Sequence, residues 1–416
     1  LFSDEVYAEE LDAVFRRSWL FIGHESEVPE PGCYVKRRMG TDHVILVRTS
    51  SGEIRVLLNS CSHRGTPLCR ADVGTTSHFR CMYHGWTYDT DGRLLAVPGL
   101  RQWYDDDFDR ADHGLPNART QTRNGLVFAT WNEDGPTLEE FLGDFAFYFD
   151  GLLCRPSDGW EVWGDPIKLI SRSNWKLAAE NFGMDSLHLD SLHPTVEKLG
   201  IFTMAGDAPT AYTVVCEGGH GITAIKRLGE PGCFPGYPEN LWSEFAANQS
   251  PAQTWFTSNN IVSKGILFPN LNFLDAVHPF TGDPDKPTVS ATLLRQSHPI
   301  DARTTEIWMW ILVPKAASAQ WKRWSQEVMV RTVGVSGAME PDDLENAVAV
   351  GEVNAGAIAA ERDFLFYAGA GIEPVHRVGE HELPGDVHVC NMNTETMVRG
   401  FFAAWYRLMG KDAAVR

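Results

Sequence analysis

At 416 residues, 43% hydrophobic and 11% aromatic, the chain is long enough for two or more domains with cores of their own. Its 55 acidic against 36 basic residues give a formal charge of −19, which repels a phosphate backbone and argues against a nucleic-acid partner. The longest apolar runs, such as Ile307 to Val313, fall far short of the roughly 18 residues that a membrane span requires. Leu1 to Trp19 is charged and helix-patterned and does not read as a signal peptide. Eight scattered cysteines do not form a disulfide framework, so a reducing, cytoplasmic compartment is expected, with no membrane partner. Ser3 and Asp4 precede Tyr7, Leu11, Val14 and Phe15 at helical spacing, which predicts an opening helix within residues 1–19. From Gly32 the texture changes to short strands. VILV at 44–47 and IRVLL at 54–58 flank Ser51-Gly52, Asp91-Gly92 splits two short apolar runs, and Asn124-Gly125 precedes LVFATW. A small β domain is therefore expected over 20–135. Near Pro136 the pattern turns helical, with Thr137 and Glu140 offering a capping box. Helices then mix with longer strands, notably the alternating stretch Thr288 to Val313, and predict a larger α+β domain over 136–416.

Within the β domain, Cys61-Ser62-His63 and Cys81-Met82-Tyr83-His84 each place a cysteine just before a histidine. Two thiolates and two imidazoles satisfy tetrahedral zinc. The spacing C-x-H-x17-C-x2-H, with Arg64-Gly65 after the first pair and Gly85-Trp86 after the second, matches better the pattern of a Rieske [2Fe–2S] cluster. There two thiolates hold one iron and two histidines the other. Neutral imidazoles lower the cluster's negative charge, and so raise its potential above that of an all-cysteine plant-type ferredoxin. Glycines suit such loops, because bridging sulfides seek backbone N–H donors in tight turns. Respiratory-chain Rieske proteins carry an extra, disulfide-paired cysteine in each cluster loop. Here Cys69 lies in the first segment but the second has only Cys81, so the chain resembles the ferredoxin and oxygenase branch. Cys33, Cys69, Cys154, Cys216, Cys233 and Cys390 read as small core residues.

A second constellation lies in ENFGMDSLHLDSLHPT, Glu180 to Thr195. A helix through Asn181, Asp185 and His188, at i, i+4 and i+7, would set all three on one face. His193 falls about 140° round an ideal helix from His188, so the two converge only if the helix ends or bulges between them. GAMEPDDLEN, Gly337 to Asn346, offers a third ligand. Read alone, Pro341 followed by Asp342, Asp343 and Glu345 is how a helix N-terminus is charged against its dipole.

Taken together these motifs resemble the α subunits of Rieske non-heme iron aromatic-ring-hydroxylating oxygenases, of the naphthalene and terephthalate dioxygenase type. The resemblance spans nearly the whole chain: Pro31 to Tyr34, the cluster pattern, Asn174-Trp175-Lys176 leading into Glu180-Asn181, D-x2-H-x4-H, LFPNL at 267–271, E-x-D-D, and the terminal ETMVRGFFAAWYRLM. It implies an N-terminal helix, residues 1–19, packed on the catalytic domain, a small all-β Rieske domain, and a catalytic domain whose antiparallel sheet is covered by helices in a helix-grip, START-like arrangement. It implies a [2Fe–2S] cluster on Cys61, His63, Cys81 and His84, and a mononuclear Fe(II) on the facial triad His188, His193 and Asp343. Pro341 stands where relatives often carry a polar residue, which leaves Asp342 as the alternative to Asp343. Asp185 matches a carboxylate that bridges the metal centres, Asn181 its neighbour near the iron, and Ser186, Leu189, Val333 and Met339 the pocket. Val333 and Met339 are smaller or more flexible than the aromatic residues that naphthalene-type relatives tend to place there, so substrates larger than one ring are expected. The implied reaction is cis-dihydroxylation of an aromatic substrate with O2. Electrons come from NAD(P)H through a reductase, with or without a ferredoxin, to a trimer of α chains that carries a small β subunit. A monooxygenase or demethylase would use the same metals, and a Rieske electron-transfer protein would leave the triad idle.

Overall fold

The computed structural model describes residues 2–199, 210–226, 231–278, 286–390 and 394–411. It divides into two compact units, Phe15–Leu138 and a discontinuous one made of Leu1–Val14 with Glu139–Arg416.

The smaller unit is built on β-strands. Its seven-stranded sheet runs, from one edge, Leu20–His24, Leu126–Thr130, Asn117–Arg123, Ile54–Leu58, Asp42–Arg48, Cys33–Met39 and Val73–Thr75, with all pairings antiparallel. Asn124 and Gly125 both have positive φ, 52° and 81°, and join two strands in register Arg123 to Leu126. This is the two-residue turn whose twist matches a hairpin, and few residues other than Asn and Gly tolerate it. A second sheet of three short strands, His78–Arg80, Thr87–Asp89 and Leu94–Ala96, carries one cluster loop before its middle strand. The core between them includes Ile45, Val47, Leu57, Phe79, Trp86 and Tyr88, together with Cys61, Cys69 and Cys81.

The larger unit holds a ten-stranded antiparallel sheet. Its order is Trp160–Val162, Thr304–Pro314, Val289–Asp301, Leu271–His278, Asn260–Leu267, Gly221–Lys226, Thr210–Val215, His381–Cys390 and Val375–Val378, with Ile167–Ser171 also pairing on Thr304–Pro314. The helix Trp175–Gly183 packs on the three central strands, Ala319–Thr332 on Val289–Asp301, and Thr396–Leu408 on Thr210–Val215. Val289 to Pro299 is buried without interruption, so the alternation expected from Thr288 onward gives way to a strand covered on both faces. The fold is the expected class, α+β with a small all-β unit and a helix-covered antiparallel sheet.

The opening helix runs Asp4–Glu10, with the Ser3 side chain accepting from the Val6 N–H, and continues as one π turn over Leu11–Phe15. Glu10, wholly buried, accepts hydrogen bonds from Lys176, from Trp175 Nε1 at 2.9 Å and from Trp405 Nε1 at 2.9 Å. A lone acid in an apolar setting is stable only when its lone pairs are met in this way.

Cysteine burial departs from the expectation. Cys69 and Cys216 are core residues, but Cys33, Cys154, Cys233 and Cys390 are half-buried. Cys33 opens its strand and Cys390 closes its own, end positions where burial falls off and which a count of cysteines does not reveal.

Candidate metal centres

The two cysteine–histidine loops are copies of one turn. Cys61 N–H donates to the Thr66 carbonyl at 3.0 Å and Gly65 N–H to the Cys61 carbonyl at 2.8 Å; Cys81 N–H donates to the Trp86 carbonyl at 2.7 Å and Gly85 N–H to the Cys81 carbonyl at 3.0 Å. Each turn reverses on its glycine, at φ 74° and 76°, a conformation that a Cβ would strain. Both thiols are 2% exposed, and the two imidazole rings lie 4.5 Å apart, centroid to centroid. His63 stacks on Trp86 at 4.9 Å, and its Nδ1 is buried without a hydrogen-bond partner. Burial lowers the His63 imidazole below its usual range, helped by His84 and Arg64, so the ring is neutral with a free lone pair. Burial raises the Cys61 thiol, against an opposing contact from Tyr88, whose hydroxyl lies 3.3 Å from Sγ. That hydroxyl accepts from the Ser62 N–H at 3.1 Å, which leaves its own proton available to the sulfur. Two buried thiols and a partnerless imidazole nitrogen at one point fit a [2Fe–2S] group. Tyr88 was missed in the sequence, where it reads as one more strand aromatic.

In the larger unit a single helix face through Asn181, Asp185 and His188 is not formed. The helix ends at Gly183, and a second one, His188–Leu192, begins after a turn and closes at His193. Asp185 makes the turn itself, its Oδ1 accepting from the Leu187 N–H at 2.7 Å while Oδ2 faces His188 Nδ1 at 2.9 Å. Asx residues favour such local bonds over helix continuation. The end of the helix brings the two imidazoles together, their centroids 5.3 Å apart.

Asp343 arrives from the helix Glu340–Val353, with Pro341 in its first turn. Its Oδ1 lies 2.9 Å from His193 Nε2 and 3.5 Å from His188 Nε2, whereas Asp342 is 55% exposed and no closer than 4.0 Å to His193. One ligand atom from each of His188, His193 and Asp343 falls within 4.8 Å of the others. Asn181 Nδ2 donates to the same Asp343 oxygen at 3.3 Å. Burial alone would raise the Asp343 carboxyl, but the His193 hydrogen bond and the two imidazoles hold it below the usual range. Burial opposes ionisation of Asp185 as well, and its bond to His188 and the nearby Lys264 ammonium keep it low. His188 Nδ1 faces the Asp185 carboxylate while its Nε2 lies 3.5 Å from an Asp343 oxygen, so a cation held between Nε2 and that carboxylate would have a ring oriented for it from behind. The donors fit a mononuclear iron.

Arg295 fixes the approach of the two helices that carry these side chains. Its Nη2 donates to Glu340 Oε1 at 2.8 Å and its Nη1 to the Ala178 carbonyl at 2.6 Å, with Arg295 and Glu340 both 1% exposed. Arg295 did not stand out in the sequence, and Glu340 was noted only as the first residue of E-x-D-D, because a strand arginine and a helix-start glutamate are ordinary until they meet.

A cavity beside the triad is walled by Phe182, Leu189, Ile225, Val262, Leu274, Ala276, Val333 and Met339, with Asn181, Lys264 and His278 as its further polar residues. Of the residues that the resemblance assigns to a pocket, Leu189, Val333 and Met339 line this cavity and Ser186 does not. It is 2% exposed in the turn, its carbonyl accepting from the Leu189 N–H, because the break at Gly183 carries it away from the wall. Lys264 donates to the Asp185 carbonyl, and burial lowers its ammonium to about 8, against Asp185 and Asp343.

Comparison with known proteins agrees with this chemistry. Residues 18–117 match the Rieske [2Fe-2S] domain, and residues 160–410 the ring hydroxylating alpha subunit (catalytic domain). The chain is 33% identical to chlorobenzene dioxygenase subunit alpha of Cupriavidus sp. (strain PS12), covering 98% of this chain and 90% of that one. It is 32% identical to N,N-dimethyl phenylurea N-demethylase subunit alpha of Sphingobium sp. (strain YBL2), over 82% of this chain and 76% of that one. Its fold superposes on naphthalene 1,2-dioxygenase from Rhodococcus sp. bound to indole, with a TM-score of 0.92, 33% identity, and 99% and 93% of the two chains covered. The chain therefore belongs to the ring-hydroxylating alpha-subunit family of Rieske oxygenases, oxidoreductases that work with a Rieske [2Fe–2S] cluster and a mononuclear iron.

Proposed function

We propose that this chain is the terminal oxygenase of a cytoplasmic multicomponent system that cis-dihydroxylates an aromatic substrate with O2. Its electrons come from NAD(P)H through a reductase, directly or by way of a ferredoxin. Cys61, His63, Cys81 and His84 hold the cluster, and His188, His193 and Asp343 the iron. When bound, these groups supply one-electron transfer and a site at which O2 reacts beside the substrate. The chain's own residues do the placing. Asp185 fixes the tautomer and orientation of His188 through Nδ1, Asn181 orients Asp343, and the apolar wall formed by Leu189, Val333 and Met339 keeps water from the reacting face. In a head-to-tail trimer of α chains with a small β subunit, Asp185, whose side chain is 24% exposed, accepts a further hydrogen bond from His84 of the neighbouring chain.

The observation that carries this reading is the convergence of His188, His193 and Asp343 beside an apolar cavity, three groups that an electron carrier does not need. The test is iron and acid-labile sulfide per chain, followed by oxygen uptake and product identification with a surrogate reductase. Three iron and two sulfide, with a cis-dihydrodiol as product, are expected; two iron and two sulfide would favour a carrier. The similarity to an N-demethylase subunit favours a second reading, oxidation at a substituent, which a monohydroxylated or dealkylated product identifies.

A further inference from the structure

The lysine in the cavity wall is the group that an apolar-arene site does not explain. Lys264 lies in the interior of the strand Asn260–Leu267, 5% exposed, with Val262 two residues before it on the same face. Across the ladder it pairs with Leu274, and Leu274, Ala276 and His278 carry that face along the next strand. The ammonium has three N–H groups. One donates to the Asp185 carbonyl. The Asp185 carboxylate is not its partner, since one oxygen takes the Leu187 N–H and the other faces His188. Among the described residues no other hydrogen bond or ion pair reaches Lys264, so two donors of a buried cation have no acceptor in the protein. A buried ammonium is costly unless its donors are met, and Lys264 is one of the residues that line the cavity beside the triad. Apart from the triad and Asn181, the rest of the wall is apolar but for neutral His278, its imidazole lowered by burial to about 4, on the order of 13 Å along the strand from Leu274.

We infer that this site selects arenes bearing an anionic oxygen, a carboxylate or a phenolate, which accepts from Lys264 while the ring lies against Ile225, Val262 and Leu274. This rests on the aromatic-oxygenase reading above and names its substrate class. A tie that only holds the Asp185 carbonyl would make Lys264 a positioning residue instead, and would affect neutral and anionic ligands alike.

The test is calorimetric binding to the metal-loaded protein without oxygen or reductant, using isosteric pairs: 2-naphthoate against 2-naphthamide, and 4-nitrophenolate against 4-nitroanisole. The anion of at least one pair is expected to bind about tenfold or more tightly than its neutral isostere, the factor that one charge-assisted hydrogen bond carries. Which pair shows the gap separates carboxylate from phenolate. Lys264→Met and Lys264→Gln should close the gap between each anion and its neutral isostere, while Lys264→Arg keeps part of it. Equal or weaker binding of both anions by the unaltered protein overturns the inference, and needs no variant to fold. A preference that survives both neutral variants, each checked by its cluster spectrum, also overturns it. Anion preference without hydroxylation would count against the oxygenase reading alone; hydroxylation of neutral arenes without anion preference would count against this inference alone.

Discussion

At the scale of single residues, the groups next to the ligands matter as much as the ligands. The Tyr88 hydroxyl lies 3.3 Å from Cys61 Sγ, where a proton donated to the sulfur would withdraw charge from the proposed cluster ligand. Tyr88→Phe should leave the cluster spectrum in place and lower its midpoint potential by on the order of 60 mV, the one-electron equivalent of ~1.4 kcal/mol, as read by redox titration. An unchanged potential would show that the proton points elsewhere. Asp185→Asn keeps the size of a side chain 2.9 Å from His188 Nδ1 and removes its charge. Both metal contents should persist while turnover falls about 10- to 100-fold, the usual cost of losing such a carboxylate. Loss of iron in proportion to activity would instead make Asp185 a structural prop. The cluster residues were legible because all four lie within 24 positions, Cys61 to His84, in two local turns. Lys264 was not, since a single lysine between apolar strand residues carries no sign of which way it points.

At the scale of elements, the catalytic centre depends on a helix that stops. Periodicity alone predicts a helix through Asn181, Asp185 and His188, but Gly183 and the Asp185 turn end it, and only then do His188 and His193 face one point. The break was foreseen between the two histidines and not before the first, because a pattern of spacing does not register competition from an Asx side chain. Asp343 comes from 150 positions beyond His193, so its partnership is a property of packing. Arg295 holds that packing. Arg295→Leu strands the Glu340 carboxylate, 1% exposed, and should cost about 3–5 kcal/mol in the stability of the larger unit by denaturant titration. Mononuclear iron should fall with it, while the cluster, in the other unit, keeps its full visible spectrum. Equal loss of both metals would contradict a local role.

For the whole molecule, the proposed trimer predicts that dead chains complement one another. Cys81→Ala and His188→Ala are each inactive alone, but mixed during assembly they should pair an intact cluster with a neighbouring intact iron at roughly a quarter of interfaces and recover that share of activity. Mixed trimers confirmed by mass spectrometry yet inactive would confine electron transfer to one chain. Domain order was legible because strand texture and helix texture differ over long windows, and the resemblance implied that the first helix packs on the catalytic domain, but nothing in the spacing pointed to Glu10 and Trp405 as the residues that meet. That tie sets a timetable for synthesis. Phe15–Leu138 is continuous and is complete once residue 138 has left the ribosome, so it is able to fold and take up its cluster early. The other unit must wait. Glu10 meets Trp405 across 395 positions, and until that tryptophan emerges the first helix has a charged carboxylate and no pocket for it. The smaller unit can thus be complete before the iron site closes, and a ribosome stalled after residue 138 has emerged but before residue 405 should carry a chain already coloured by its cluster but unable to retain mononuclear iron.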